Sequence, residues 1–394
     1  MSMLINRDII VFSDDWGRHP SSCQHLVRKL LPTNRVAWVN TIGMRSPKIN
    51  LYDIKRICEV LSYWFASAPE PEDSQLPINL TVVSPIIIPY NGFPFVRSLN
   101  RFSVRRVIRS IMADQRITNP VVVTTFPCTC DYVGAFDESL HIYYCVDDFV
   151  NWPGVALPLI RSMEDKLIQQ SDLVMATAEA LCDEKERDGK RPLLLAHGVD
   201  FDHFHTALET IDRPLEFQNI PRPIIGYFGA ISAWLDFDLI VSLATNRPAW
   251  SFVFIGPVDT NISALSGIPN IHLLGKIPYD QLPRYAACFD VGIIPFQVND
   301  LTRSVNPLKL FEYLSLGLPV VSSYMPEVSK YADIVYIASD RREFLTCLDA
   351  AVEQDSIERR MQRIESARNH SWNSVAERFS ALVYEAERRK GIVA

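Results

Sequence analysis

Short apolar runs alternate with amphipathic stretches along almost the whole chain. This alternation is typical of α/β domains, in which helices connect the strands of a parallel sheet. In the first half, the pattern predicts strands at residues 8–13, 35–40, 79–85, 120–126, 141–146, 173–177 and 192–196. Between these strands it predicts helices at residues 21–31, 50–66, 94–113, 157–170 and 178–187.

A polar, proline-containing stretch without a clear period, residues 206–222, interrupts the alternation and has the composition of a linker. The alternation then restarts. The second half predicts strands at residues 223–229, 251–256, 271–275, 291–296, 318–323 and 334–338. Its predicted helices are at residues 235–246, 279–287, 307–316, 341–354, 356–369 and 372–390.

The two halves predict two doubly wound, Rossmann-like domains of the α/β class that face a central cleft. We place the N-terminal domain at 1–205, the linker at 206–222 and the C-terminal domain at 223–370. A last, charge-rich helix, 371–394, is expected to pack back toward the N-terminal domain. Ligands of open parallel sheets bind at the carboxyl ends of the strands, so we expect the functional site in the cleft.

Composition narrows the function classes. The 394 residues are 48% hydrophobic and 22% charged, which is ordinary for a globular protein, and the net charge of −7 argues against bulk binding to nucleic acid. The N-terminus has no signal-peptide pattern, and no apolar run approaches the ~20 residues of a membrane-spanning helix. The eight cysteines match no common zinc or redox spacing and are interpreted as reduced thiols of a cytoplasmic protein.

The stretch SVNPLKLFEYLSLGLPVVSS, residues 304–323, carries unusual polar chemistry at the start of a helix. Asn306 is a good N-cap and Pro307 suits the first helical position, while Gly317 suits the helix end. The amino end follows a predicted strand and therefore points toward the cleft. A helix N-terminus offers free amides and partial positive charge to an anion.

Lys309 and Glu312 lie three residues apart on one face of this helix. A cation in a first helical turn is electrostatically misplaced, and a bound phosphate would explain it. A carboxylate one turn further on can accept hydrogen bonds from a ribose diol, as an acid does in Rossmann folds. The alternative is an ordinary Lys–Glu pair on a solvated face, and spacing alone leaves both interpretations open.

The same segment resembles the donor-binding segment of GT-B-fold glycosyltransferases, especially glycosyltransferase family 4 (glycosyl transferases group 1) and its relatives. Three further stretches are similar to parts of these enzymes: residues 224–240 to the first strand, loop and helix of their nucleotide-sugar domain, 271–296 to the unit before the donor helix, and 169–204 to the last N-terminal unit. The resemblance covers residues 140–394 well and the first 139 residues loosely.

The resemblance implies a co-substrate, a nucleoside diphosphate sugar such as a UDP- or GDP-sugar, with no bound cofactor or metal. By position, Glu312 would hold the ribose. Lys309, together with the amides near Val305, Asn306 and Leu308, would hold the diphosphate.

The resemblance also implies roles for two loops. The loop from Gly229 to Ser232 would approach the phosphates, although it lacks the basic residue that many relatives place nearby; a tight turn without a ligand is the alternative for Gly229. The backbone at Lys276 and Ile277 would meet the nucleobase. Ser304 stands where many relatives keep a glutamate associated with the donor sugar, which leaves the stereochemical outcome open.

Asp147 and Asp148 follow a predicted strand at its carboxyl end. They are the candidate catalytic acid or base, since an inverting transfer requires a base for the acceptor hydroxyl. A turn or helix-capping pair is the alternative. Adjacent carboxylates without further ligands do not indicate a metal site.

The loop after the first strand supplies three acceptor-side candidates, Trp16, Arg18 and His19, for which ordinary surface exposure is the alternative. Residues 94–113 form a basic amphipathic helix, and 50–66 is a second apolar-rich helix. Both could contact an anionic membrane, or their apolar faces could pack inward. The expected location is therefore cytoplasmic, with peripheral attachment to the inner face of the cell membrane left open.

The resulting prediction is a metal-independent glycosyltransferase. It would move a sugar from a nucleoside diphosphate sugar to a hydroxyl of a glycan or lipid-linked acceptor, in surface polysaccharide or glycolipid synthesis. Two alternatives remain open: a GT-B-fold epimerase acting on a nucleotide sugar, and a non-catalytic binding protein of the same fold.

Overall fold

A computed structural model describes residues 3–18, 21–41, 76–152, 154–209 and 213–392 of the chain. The predicted helix 50–66, with its predicted membrane contact, lies outside these residues. The chain divides into two compact units. The first comprises residues up to Ala176, Leu181–Leu194 and residues from Ala376 onward, and the second comprises Thr177–Ala180 and Leu195–Val375.

The first unit contains a seven-stranded sheet in the order β3-β2-β1-β4-β5-β6-β7, and every pairing is parallel. Its strands are β1 (Asp8–Ser13), β2 (Arg35–Asn40), β3 (Leu80–Val83), β4 (Val121–Thr124), β5 (Leu140–Cys145), β6 (Leu173–Ala176) and β7 (Leu193–Leu194). Helices α1 (Ser22–Leu30), α2 (Pro94–Gln115) and α3 (Leu157–Gln170) belong to the first unit. Helix α4 (Glu179–Glu184) begins in the second unit and continues into the first.

The second unit contains a six-stranded parallel sheet in the order β10-β9-β8-β11-β12-β13. Its strands are β8 (Ile224–Phe228), β9 (Ser251–Ile255), β10 (Ile271–Gly275), β11 (Val291–Ile294), β12 (Val320–Ser323) and β13 (Tyr336–Ala338). Its helices are α5 (Phe201–His205), α6 (Phe237–Asn246), α7 (Leu282–Ala286), α8 (Asp300–Arg303), α9 (Leu308–Ser315), α10 (Pro326–Ser329), α11 (Arg341–Glu353) and α12 (Ile357–Asn369), followed by the last helix of the chain, α13 (Trp372–Arg389).

Local sequence explains why several of these helices begin where they do. Ser21 accepts a hydrogen bond from the Gln24 amide at the start of α1, and Asp236 accepts one from the Leu239 amide at the start of α6. Asp340 and Ser356 cap α11 and α12 in the same way. Each cap satisfies an amide that has no partner inside its helix.

Strands β4, β5, β8, β9 and β11 are buried on both faces, which explains their nearly continuous apolar sequences. The doubly wound α/β class predicted for both halves is confirmed by the two sheets. Three short helices, α5, α8 and α10, were not predicted, because four or five residues are too few to show a helical period.

The compact units differ from the predicted domain boundaries. Phe217 and Ile220, from the predicted linker, are buried in the core of the second unit, which begins at Leu195. The last helix divides at Ala376, where the chain joins the first unit. There Glu387, almost fully buried, forms an ion pair of 3.0 Å with Arg7. Composition alone did not reveal that the predicted linker packs into the second unit, because two buried apolar side chains are enough to anchor an otherwise polar stretch.

Candidate functional site

The strand order of the second unit reverses between β8 and β11, in the middle of the sheet. Two crossovers leave in opposite directions at such a point, so the loops after the two strands separate and open a crevice. The loop after β8 begins at Gly229, and the segment after β11 leads to α9. The predicted helix and the predicted glycine loop therefore flank the switch point of one sheet.

Gly229 has a φ of +128°, which favours glycine, and its amide donates to the Ile255 carbonyl oxygen at 2.8 Å. A Cβ atom at this position would lie 2.3 Å from Cε of Lys309. The lysine side chain thus lies directly against the bare Cα of Gly229. Any side chain here would displace the lysine, so the glycine has a steric role as well as a conformational one.

Helix α9 begins at Leu308, one residue later than predicted, and Pro307 occupies the capping position without a side-chain hydrogen bond. The Asn306 side chain does not cap this helix. Its Nδ2 donates instead to the Thr177 carbonyl oxygen, at 3.1 Å. The predicted N-cap is therefore wrong, because a buried backbone acceptor takes the amide. The first-turn amides of Leu308 and Lys309 have no partner inside the helix.

The Lys309 ammonium lies over two aromatic rings. Its Nζ is 5.4 Å from the ring centroid of Tyr227 and 5.9 Å from that of Phe296. Within the part of the chain that the structure describes, Lys309 contacts these rings and forms no ion pair within 4.0 Å. The lysine therefore has no close ion-pair partner among the described residues, although Glu312 is near enough to interact with it electrostatically.

Glu312 is half-buried one turn further along α9, and its carboxylate makes no hydrogen bond to another described residue. Burial raises the pKa of Glu312 to about 7, while nearby Lys309 lowers it in part. A carboxylate that is costly to ionise and has no protein partner is suited to accept hydrogen bonds from a ligand.

The remaining predicted donor-binding residues of the second unit differ in how accessible they are to a ligand. Ser232 and Ser304 are buried, and the amide of Val305 already donates to the Thr302 carbonyl oxygen at 3.3 Å. Lys276 is exposed just after β10, and Ile277 packs partly against the core. The structure thus brings Gly229, Lys309 and the start of α9 into direct proximity, whereas the amide of Val305 is already occupied.

In the first unit, Asp147 and Asp148 follow β5 and have different surroundings. Asp148 is fully buried; its carboxylate accepts from Nδ2 of Asn151 at 2.6 Å and lies 3.4 Å from Nζ of Lys185. Asp147 is half-buried, and its Oδ1 accepts the Asp148 amide at 2.7 Å. Burial raises the pKa of Asp147. Of the two, only Asp147 retains solvent access for proton transfer.

Lys185 is the centre of a buried ionic network that the sequence did not predict. Its Nζ lies 2.9 Å from Glu164 and also contacts Asp148, and the hydroxyl of Tyr143 donates to Glu164 at 2.6 Å. Burial would lower the pKa of Lys185, but the surrounding carboxylates raise it overall. These side chains come from α3, β5 and the segment after α4, so no local pattern relates them.

The acceptor-side candidates lie after β1. Trp16 packs edge-on against Trp38, with ring centroids 4.8 Å apart, and its amide donates to Oδ1 of Asn40 at 3.0 Å. Arg18 is exposed and pairs with Asp15 at 3.2 Å. His19 lies outside the described residues. Trp16 is thus held in place, whereas the contact of Arg18 is a surface ion pair of small energetic value.

Tyr227 and Phe296, the two rings in contact with Lys309, are side chains of the candidate site that sequence reasoning missed in the second unit. Both are buried aromatic residues in or just after strands, where they are indistinguishable in sequence from ordinary core positions. The available signal was their location: Tyr227 lies two residues before Gly229, and Phe296 lies two residues after the end of β11.

Comparison with known proteins places these features in a family context. Residues 222–353 match the family model described as Glycosyl transferases group 1, and this range contains Gly229, Lys309 and Glu312. A Bacillus subtilis relative, TuaH, whose name assigns it provisionally as a teichuronic acid biosynthesis glycosyltransferase, is 29% identical over 228 residues. That match covers 55% of this chain and 57% of the relative, so this chain spans only a little more than half of the relative's length.

Two solved structures resemble the whole chain. A UDP-forming α,α-trehalose-phosphate synthase from Burkholderia xenovorans has a TM-score of 0.67 at 13% identity, covering 97% of this chain and 99% of its own. Anabaena HepE, in complex with UDP and glucose, has a TM-score of 0.64 at 10% identity, covering 95% and 99%. The chain has the GT-B fold, and its predicted resemblance to group 1 glycosyltransferases is confirmed.

Proposed function

We propose that this protein is a glycosyltransferase that transfers a sugar from a nucleoside diphosphate sugar to a hydroxyl of a glycan or lipid-linked acceptor. The donor would bind at the switch point of the second unit. Lys309 and the free amides of α9 would hold the diphosphate, and Glu312 would accept hydrogen bonds from the ribose. The backbone at Lys276 and Ile277 would contact the nucleobase.

The observation that carries this proposal is the pairing of two unsatisfied groups on one helix. Lys309 and Glu312 interact with each other only at a distance: Lys309 forms no described ion pair, and Glu312 accepts no described hydrogen bond. In a nucleoside diphosphate, the diphosphate would supply negative charge to Lys309, and the adjacent ribose would supply two hydroxyl donors to Glu312. A solvated Lys–Glu pair would not require Lys309 to lie against Gly229 and over two aromatic rings.

The proposed reaction breaks the bond between the sugar's anomeric carbon and the diphosphate oxygen. Negative charge develops on the departing diphosphate, where Lys309 and the first-turn amides would stabilise it. If the transfer inverts the anomeric centre, the attacking hydroxyl must lose a proton, and Asp147 is the proposed acceptor of that proton. Burial raises the pKa of Asp147, which makes its carboxylate a stronger proton acceptor. Asp148 is proposed to position this loop.

A role in surface polysaccharide synthesis is the finer part of the proposal. Its support is the name of the Bacillus subtilis relative, which refers to teichuronic acid biosynthesis. The same acceptor class would place the protein at the cytoplasmic face of a membrane. Among the described residues, no helix combines the length and apolar character needed to cross a membrane.

Peripheral attachment is proposed through the first turns of α2. Phe95, Leu99 and Phe102 share one helix face and are 73%, 41% and 67% exposed, which is unusual for large apolar side chains. Arg105 and Arg106 are exposed in the following turn. Aromatic side chains with adjacent arginines fit an anionic membrane surface, where rings enter the interface and guanidinium groups meet lipid headgroups.

The opposite face of α2, which includes Val104 and Ile108, packs into the core of the first unit. The predicted amphipathic pattern thus mixes a core face with an exposed one.

Vesicle sedimentation would test the attachment: phosphatidylglycerol-containing vesicles should retain the wild type and release the Phe95→Ser, Phe102→Ser double variant. Ile357→Ser, at an equally exposed position of the second unit, is the control. Equal retention of all three would contradict the attachment.

Donor binding is tested first by a thermal-shift screen of uridine, guanosine, adenosine and thymidine diphosphates, since a bound ligand raises apparent stability. Calorimetry with the selected nucleotide should then show Glu312→Ala weakened by about 10- to 100-fold, the loss expected for hydrogen bonds to a charged group. Glu365→Ala, an exposed glutamate on α12, is the matched control. Unchanged affinity in Glu312→Ala would refute the donor site.

The epimerase alternative is separated by incubating the protein with the nucleotide sugar alone. An epimerase converts the donor into a new nucleotide sugar without any acceptor. A transferase gives at most slow hydrolysis until an acceptor is added, so accumulation of an epimeric nucleotide sugar would contradict the proposal.

A further inference from the structure

The unusual feature of the second unit is how Lys309 is held. A lysine in the first turn of a helix faces the positive end of the helix dipole and lacks the favourable field that an acid would have there. In the described chain, no carboxylate forms an ion pair with it, and the nearest interacting acid, Glu312, is one helical turn away. The ammonium instead faces the rings of Tyr227 and Phe296.

We propose that Tyr227 and Phe296 are positioning residues that hold the Lys309 ammonium toward the diphosphate without neutralising its charge. This inference rests on the proposed donor site. A ring face attracts a cation through its quadrupole and carries no net charge. A carboxylate in the same place would fix the lysine equally well, but it would compete with the phosphates for it.

Three contacts define the lysine's position. Tyr227 lies on β8 and Phe296 follows β11, so one ring comes from each side of the switch point. Their centroids are 6.5 Å apart in an edge-on arrangement. Gly229 closes the third side, where a Cβ atom would lie 2.7 Å from Nζ of Lys309. Both aromatic residues are buried, so the platform beneath the ammonium is rigid.

The hydroxyl of Tyr227 has a separate contact, which must be distinguished from the ring. It donates to the Ala230 carbonyl oxygen at 3.1 Å and thereby ties down the loop after β8. Tyr227→Phe removes only this bond and keeps the ring. Tyr227→Leu removes both. Comparing the two variants shows whether nucleotide affinity depends on the aromatic ring or on the hydrogen bond to the loop.

The experiment measures the affinity for UDP, or for GDP if the screen selects guanosine, by calorimetry. Tyr227→Leu should weaken binding about 3- to 30-fold, the range expected for a cation–π contact, and Phe296→Leu should weaken it less. Tyr227→Phe should stay within about twofold. Tyr336→Leu is the matched control, because it removes another cation–π contact of this unit, to Arg359, and should leave affinity unchanged.

A double-mutant cycle shows whether the tyrosine acts through the lysine. In a Lys309→Met background, adding Tyr227→Leu should cause no further loss of UDP affinity. The same loss with and without the lysine would overturn the inference, as would a Tyr227→Phe variant as weak as Tyr227→Leu. If the wild type binds no nucleoside diphosphate, the proposed function itself fails, which differs from binding that is insensitive to Tyr227.

Discussion

Both units carry charged side chains after buried parallel strands, but only the first unit pairs its lysine with carboxylates. In the first unit, Lys185 is buried and surrounded by Glu164, Asp148 and Glu184. In the second unit, Lys309 and Glu312 lie on one helix and interact with each other at a distance, but neither has an ion pair or a side-chain hydrogen bond among the described residues. The protein itself satisfies the first cluster, whereas we propose that a ligand satisfies the second.

This difference is the basis for proposing a structural role for Lys185 and a ligand-binding role for Lys309. Removing one member of a buried ion pair leaves an uncompensated charge and is costly. A charge that the protein does not pair contributes little to stability, so its presence requires another explanation. The position of Lys309 beside free helical amides provides that explanation, because an anion bound there would satisfy both.

The largest expected effect is on stability, in Lys185→Met. Glu164 and Asp148 would lose their buried counter-charge, so the free energy of unfolding should fall by about 3–5 kcal/mol. Lys309→Met should change it by less than about 1 kcal/mol, yet should weaken UDP binding about tenfold or more. Urea unfolding and calorimetry on both variants measure the two quantities.

Lys190→Met, at an exposed lysine of the first unit, is the control for this comparison. It should affect neither unfolding nor nucleotide binding. The contrast between the units would be lost if Lys309→Met destabilised the protein as much as Lys185→Met.

The next effect is pH-dependent and concerns Glu312, whose pKa is raised from 4.5 to about 7. The native state keeps a proton that the unfolded chain releases between these values. The free energy of unfolding should therefore fall as pH rises from about 4.5 to 7, and Glu312→Gln should remove that part of the decline. Urea unfolding at several pH values measures it.

Nucleotide affinity should follow the opposite course, because a ribose diol donates to the ionised carboxylate. UDP affinity should rise about tenfold between pH 6 and 8 beyond any rise seen in Glu312→Gln. Since both proteins are titrated with the same nucleotide, protonation of the phosphate cancels. Parallel curves for the two proteins would mean that Glu312 does not contact the ligand.

The smallest expected effect belongs to the Asn306 side chain, which was predicted to cap α9 but donates to the Thr177 carbonyl oxygen in the structure. Asn306→Ala should lower the free energy of unfolding by about 1 kcal/mol, the value of one such hydrogen bond. UDP affinity should change less than twofold. A large loss of affinity without loss of stability would instead assign the side chain to the ligand.

Much of this architecture follows from local sequence. Val121–Thr124 and Leu140–Cys145 are apolar at successive positions, so strands buried on both faces were predictable there. Lys309 and Glu312 share a helix face wherever that helix packs. Asn306 was misinterpreted because a good capping residue was assumed to cap. Its actual partner, Thr177, lies 129 positions away in sequence.

The sequence by itself determined the strands, the long helices, the two doubly wound sheets and the candidate donor helix, because each depends on periodicities within a few residues. Only the tertiary structure decided which charges are satisfied. It surrounded Lys185 with carboxylates from other elements, left Asp147 more accessible than Asp148, and placed the Lys309 ammonium over Tyr227 and Phe296. The physical reason is that burial, pairing and ring contacts depend on distances between residues far apart in the chain.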